Sequence, residues 1–160
     1  MKILDAYDLT GSLRDAGELA GCSHHTVKHY VDRRAAGGEL DRAAARPGVT
    51  AVWLTDWHPD ARARMAPFPG PDWPAIDRPQ VAGGGRTWWK LPALERWLHE
   101  HQEIRTVAWC DDHLRHGARK AAARRRLAQL DVDLLPVVPR TDTGLTPAHL
   151  DQLDAWATDS

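Results

Sequence analysis

Proline is missing from residues 1–38 and crowded into the middle of the chain, where Pro67, Pro69, Pro71, Pro74 and Pro79 precede Gly83-Gly84-Gly85. Proline lacks the backbone N–H that a ladder needs and obstructs a helix interior. The amino end is therefore free to form helix, the stretch 67–86 reads as irregular, and regular structure resumes only beyond it. Tryptophan follows the same division, since the first of the eight is Trp53.

Within residues 1–38 the apolar positions recur at helical spacing. Ile3, Leu4 and Tyr7 form one face, Leu13, Ala16, Leu19 and Ala20 a second, and Val27, Tyr30 and Val31 a third. Thr10-Gly11-Ser12 and Gly21-Cys22-Ser23 separate three short helices, with Ser12 and Ser23 as the caps. Gly37-Gly38 is expected to end the third. From residue 39 the rhythm becomes helix and strand in alternation, which argues an α/β layer with parallel strands. The expected elements are a helix near 39–46, a strand from Thr50 to Leu54 and a short helix near 59–66. A brief strand at Ala75-Ile76 and a helix with Pro92 in its first turn come next. Then follow a strand from Ile104 to Trp109, a basic helix over 114–129, a strand from Leu134 to Val138 and a final helix capped by Thr146-Pro147.

Charge limits the partners. Lys+Arg number 21 and Asp+Glu 22, for a net charge of −1, so attraction to nucleic acid must come from a local patch. No apolar run reaches spanning length, and Asp5 and Asp8 stand where a secretory leader needs basic and then apolar residues. A cytoplasmic protein without a membrane partner is expected. Cys22 and Cys110 are too distant for a CxxC half-site and read as ordinary reduced residues.

The second and third helices, joined by a tight glycine turn, have helix-turn-helix proportions. Ser23, His24, His25, Lys28, His29 and Arg33 would be outward on the third helix, where they can reach phosphates or base edges. A helical hairpin with a mildly basic, solvated face is the alternative. The string ILDAYDLTGSLRDAGELAGCSHHTVKHYV resembles the amino-terminal helix-turn-helix of bacterial insertion-sequence transposases that work with an ATPase helper. The resemblance implies DNA as a partner through residues 12–34 and a first domain over 1–38. Gly17 stands where that family more often has alanine, at a helix cost of ~1 kcal/mol. Nothing after residue 38 resembles the transposase catalytic domain, so transposition is not implied.

In the α/β part, Thr55 ends an apolar strand, Lys90 precedes a helix, and Asp111-Asp112 follow the strand RTVAWC. Strand carboxyl ends are where open α/β sheets bind ligands. A hydroxyl, an ammonium and paired carboxylates suit a phosphoryl group and a hard cation such as Mg²⁺. Val52–Trp57 (VWxTxW), Trp89–Leu94 (WKLPAL), Ala108–Asp112 (AWxDD) and Gly144–Ala157 (GLTPAHLDxLxAWA) together resemble a group of small proteins of the haloacid dehalogenase (HAD) superfamily. That resemblance implies a Rossmannoid three-layer parallel sheet over residues 39–160. It makes Thr55 the second-motif hydroxyl, Lys90 the third-motif cation, and Asp111 or Asp112 the magnesium ligand. His113 replaces a glutamate expected after the aspartates.

HAD chemistry begins with a DxD motif on the central strand, and no DxD precedes Thr55. The expectation is a sheet lacking its central strand, and a HAD-like protein without hydrolase activity behind a DNA-binding module. In the alternative, Lys2 to Tyr7 is that strand, Asp8 the nucleophile of a Mg²⁺-dependent phosphohydrolase, and Thr10 stands at the general-acid position. A decayed gene product with no activity is a further alternative. The crowd of Arg115, Arg119, Lys120, Arg124, Arg125 and Arg126 reads first as a solvated helix face and second as a nucleic-acid footprint. His113 and His116 share a helix face but lack further zinc ligands. The tryptophans read as core and core-rim residues, with Trp88-Trp89 able to line a pocket.

Overall fold

The computed structural model describes residues 2–55, 73–78, 88–141 and 144–159. The amino end is helical, as the proline-free sequence demands. Helix α1 spans Ile3–Thr10, α2 Leu13–Ala20 and α3 His24–Ala44. Gly11 and Gly21 take the left-handed φ of +64° and +69° that closes each preceding helix. The Ser12 hydroxyl accepts from the Asp15 N–H at 3.4 Å, and that of Ser23 from the Thr26 N–H at 3.1 Å. Ala6, Ala16 and Val27 are fully buried where the three helices meet, with Ile3, Tyr7, Leu13 and Val31 around them.

Two expectations change here. Gly37-Gly38 does not end the third helix: α3 continues to Ala44 and absorbs the separate helix expected near 39–46, so a boundary at residue 38 falls inside it. Glycine stops a helix by taking a left-handed φ, and neither Gly37 nor Gly38 does so. Among alanines and Leu40 each costs the helix only ~1 kcal/mol. Gly17, expected to be a mere weakening of α2, proves to be a point of closest approach. A Cβ on it would lie 2.7 Å from the Cys22 carbonyl oxygen and 3.2 Å from the His24 nitrogen.

The rest is mixed helix and small parallel sheets. Strand β1 (Trp53–Leu54) pairs in parallel with β2 (Ala75–Ile76), which confirms the brief strand and shortens the Thr50–Leu54 one. Helix α4 covers Lys90–Glu100, β3 Thr106–Cys110, α5 Gly117–Ala128, β4 Asp133–Val137 and α6 Pro147–Asp159. A 3-10 turn, Asp112–Arg115, joins β3 to α5 and replaces the first turn of the expected basic helix. Strands β3 and β4 pair in parallel with Thr106 opposite Asp133 and Cys110 opposite Val137. The described strands thus form two separate two-stranded sheets, in which β1 and β3 each have one neighbour. The helix expected near 59–66, and most of the stretch 67–86, lie outside the described residues.

Pro136 sits inside β4 without costing a ladder bond. The Asp133 N–H donates to the Arg105 carbonyl at 2.8 Å and the Asp111 N–H to the Val137 carbonyl at 3.1 Å. In a parallel ladder successive residues alternate direction, so Asp133, Leu135 and Val137 turn their backbone toward β3, while Pro136 turns its missing N–H away. One apolar cluster lies against both sheets. It includes Ile76, Leu91, Leu94, Leu98, Trp109, Leu114 and Leu127, with Val52 and Leu54 packed on it. Helix α6 opens as its sequence suggests, with Pro147 in the first turn and the Thr146 N–H donating to His149 Nδ1 at 3.1 Å. Arg46, just past α3, reaches Asp154 and Thr158 of α6, each at 2.5 Å. No helix among the described residues is long and apolar enough to cross a membrane.

Candidate functional site

The carboxyl end of β3 and the amino end of α4 bring three expected residues together. Lys90 is the first residue of α4 and Asp111 the first after β3. The Lys90 ammonium donates to Asp111 Oδ2 at 2.6 Å. Asp111 Oδ1 accepts from the His113 N–H at 2.8 Å and lies 2.9 Å from His113 Nδ1. The same imidazole nitrogen is 3.1 Å from Asp112 Oδ1, and the Thr141 hydroxyl donates to Asp112 Oδ2 at 2.7 Å. Asp111 is the one buried charged residue among those described, at 5% exposure, and Lys90 is largely covered.

Burial alone would push the Asp111 carboxyl pKa up. The Lys90 ammonium and the two His113 contacts outweigh that and hold it below the usual carboxylate value. The wall beside this pair is aromatic. Trp88, two residues before Lys90, stacks on Trp109, two residues before Asp111, with ring centres 5.2 Å apart and planes at 3°. The Trp88 Nε1 is buried without a hydrogen-bond partner.

Donor atoms of Asp111, Asp112 and His113 all lie within 4.8 Å of one another. Two carboxylates and an imidazole are a set that divalent cations accept. Both Asp111 oxygens are already engaged, so a cation there competes with Lys90 or His113. Sequence reasoning saw His113 as the replacement of a glutamate and as a neighbour of His116, not as a partner of both aspartates, and missed Thr141. A histidine directly after paired aspartates was the available signal for the first. Thr141 is distant in sequence and carried none.

Of the other expected residues, Thr55 is half-buried just past β1. Asp8 lies in α1, with Oδ1 and Oδ2 accepting from the two terminal nitrogens of Arg34 on α3 at 2.7 and 2.8 Å. These guanidinium hydrogen bonds hold its carboxyl below the usual range. The Thr10 hydroxyl donates to the Ala6 carbonyl at 2.9 Å inside the same helix. Lys2 to Tyr7 therefore do not supply a strand, because residues from Ile3 onward are helical.

On the amino-terminal unit, His24, His25, Lys28, His29 and Arg33 are all exposed along the first turns of α3. The rings of His24 and His25 lie 4.0 Å apart, and His29 meets Tyr30 edge-on at 5.9 Å. The Ser23 hydroxyl is occupied in capping and lies 2.9 Å from that of Thr26. Lys28 pairs with Asp32 one turn on, at 2.5 Å. An exposed pair of this kind contributes well under ~1 kcal/mol, so a phosphate can take the place of Asp32. Comparison of the chain with protein-family models, with curated proteins and with solved structures returns no match.

Proposed function

We propose that the chain is a DNA-binding protein in which α1 to α3 form a helix-turn-helix, and the α/β part is a HAD-like scaffold without the attacking carboxylate of that chemistry. The observation that carries this reading is the placement of Asp8: helical, on the surface, and tied to Arg34 by both carboxylate oxygens. A phosphohydrolase would need that carboxylate beside Lys90 and Asp111. The arrangement of β1 with β2 and of β3 with β4 supports the same reading, since a HAD-like sheet normally has its nucleophile-bearing strand between the Thr55 strand and the Asp111 strand.

The helix-turn-helix reading rests on the left-handed Gly21 turn, the close passage of Gly17 under Cys22 and the outward row from His24 to Arg33. His25 and Lys28 would enter the major groove while Ser23 keeps the amino end of α3 capped. By the HAD resemblance Asp111 and Asp112 would hold Mg²⁺, and His113 adds a nitrogen donor beside them. A cation held there screens the charge of a bound oxyanion. Without a nucleophile this amounts to binding and not turnover.

Selection from a duplex pool with a randomised core tests the DNA reading. A consensus should emerge, and His25→Ala and Lys28→Ala should each weaken the selected duplex by about ten-fold. A pool that yields no consensus overturns it. On a broad phosphoester panel with Mg²⁺ no turnover is expected, and hydrolysis abolished by Asp8→Asn would overturn the non-catalytic half of the proposal.

A further inference from the structure

Residues 113–130 include Arg115, Arg119, Lys120, Arg124, Arg125 and Arg126 and no carboxylate, in a chain whose net charge is −1. The structure accounts for two of these cations. Arg126 pairs with Glu95 of α4, and the Arg119 guanidinium lies over the Trp88 ring, 5.6 Å from its centre. Arg115, Lys120, Arg124 and Arg125 make no ion pair among the described residues. Concentrating like charges on one short element costs self-repulsion, and no carboxylate among the described residues pairs with these four to offset it.

The apolar side of α5 is already committed. Ala123 and Leu127 are fully buried, and the side left outward carries Gly117, Ala118, Ala121 and Ala128. Lys120 and Arg124 are four residues apart and share one flank of this outward strip. Arg125 rises toward its carboxyl end, and Arg115 stands in the turn ahead of it. Small side chains let a rigid surface come close to the helix, with the longer cations gripping on either side. A membrane would need exposed apolar residues to insert, and an acidic protein would need an apolar anchor at the centre of its interface. The outward side of α5 has neither. A nucleic-acid backbone needs only a row of cations.

We propose that α5, with the turn before it, is a second nucleic-acid surface that grips duplex phosphates without reading bases. It does not depend on the helix-turn-helix reading and would hold if that reading failed.

The test uses the full chain and a labelled duplex of random sequence. Binding is followed by fluorescence anisotropy between about 50 and 200 mM NaCl. Replacing Arg115, Lys120, Arg124 and Arg125 together by glutamine should make the slope of log affinity against log salt shallower by about 3 to 4. Far-UV circular dichroism checks that the variant is folded. If it is not, Arg124→Gln with Arg125→Gln should still reduce the slope by about 2. Lys28→Ala should change it by no more than about 1 while removing the preference for a selected duplex. A preference that persists in Lys28→Ala, or that wild type never shows, with the α5 effect intact sinks only the helix-turn-helix reading. An unchanged slope in the folded α5 variant overturns this proposal, as does a wild-type chain that fails to bind the duplex at low salt. Displacement of the duplex by polyglutamate at equal charge also overturns it, in favour of an acidic protein partner.

Discussion

The helical unit and the α/β part bury their cores in opposite ways. Helices α1 to α3 are built from hydrogen bonds within each helix, the first two close on left-handed glycines, and the three share a core whose fully buried members are Ala6, Ala16 and Val27. The α/β part draws Ile76, Leu91, Trp109, Leu114 and Leu127 from segments far apart in sequence, and among its described residues a largely covered charge pair joins Lys90 to Asp111. Small residues make the first unit depend on close backbone approach. Large residues make the second depend on filled volume. Tryptophan separates the two experimentally, because no tryptophan precedes Trp53. Indole fluorescence therefore follows the α/β part, and far-UV circular dichroism follows the helices of both.

The largest effect is expected from Leu114→Ala. Leu114 enters the core from the turn that carries Asp112 and His113 and is completely shielded from solvent. Its truncation should cost about 3 to 4 kcal/mol, read as a lower fluorescence midpoint in urea. An equal shift in the helical unit would break the distinction between the two cores.

Asp111→Asn comes next, at about 2 to 3 kcal/mol, because it leaves the Lys90 ammonium in a covered site without its counter-charge. It also carries a pH signature. The folded Asp111 carboxyl sits below its ordinary value, so its contribution is complete above about pH 4 and is lost as the pH falls through the lowered folded value. Wild type should lose stability in that acid range, and the asparagine variant should lose less there. Parallel acid profiles would rule out the pair as the source.

Gly17→Ala should destabilise the helical unit by about 1 to 2 kcal/mol. The alanine favours helix by ~1 kcal/mol, but its Cβ would meet the Cys22 carbonyl oxygen at 2.7 Å. Circular dichroism should record the loss with fluorescence unchanged. A gain in stability would mean that α2 and the turn are not so closely packed. The smallest effect is a gain. Gly38→Ala places a Cβ in open space on a helical φ and should stabilise α3 by up to about 1 kcal/mol. A loss would restore the helix break that the glycine pair suggested.

Much of the helical unit was legible because its determinants are local. Ser12, Ser23, Gly11 and Gly21 mark their boundaries through bonds that span three or four residues. Gly37-Gly38 misled for the same reason, since only φ distinguishes a glycine that ends a helix from one that sits inside it. In the candidate site, Lys90 and Asp111 were identified by their positions at element ends, and they do meet. Asp8 was legible as a carboxylate but not as the partner of Arg34, because that bond crosses between two helices. Thr141 was invisible for a like reason, its bond to Asp112 being made by a segment beyond β4.

The order of residues by itself determined where helix could run, where glycine had to turn the chain, and which strands would carry carboxylates at their ends. Those outcomes follow from backbone sterics and hydrogen bonds between near neighbours. Only the tertiary structure decided that α3 runs through its glycines, that Gly17 is required at a backbone crossing, and that Asp8 belongs to Arg34 while Asp111 belongs to Lys90. These were settled by which surfaces exclude water together, and that depends on contacts between distant residues that no local pattern encodes.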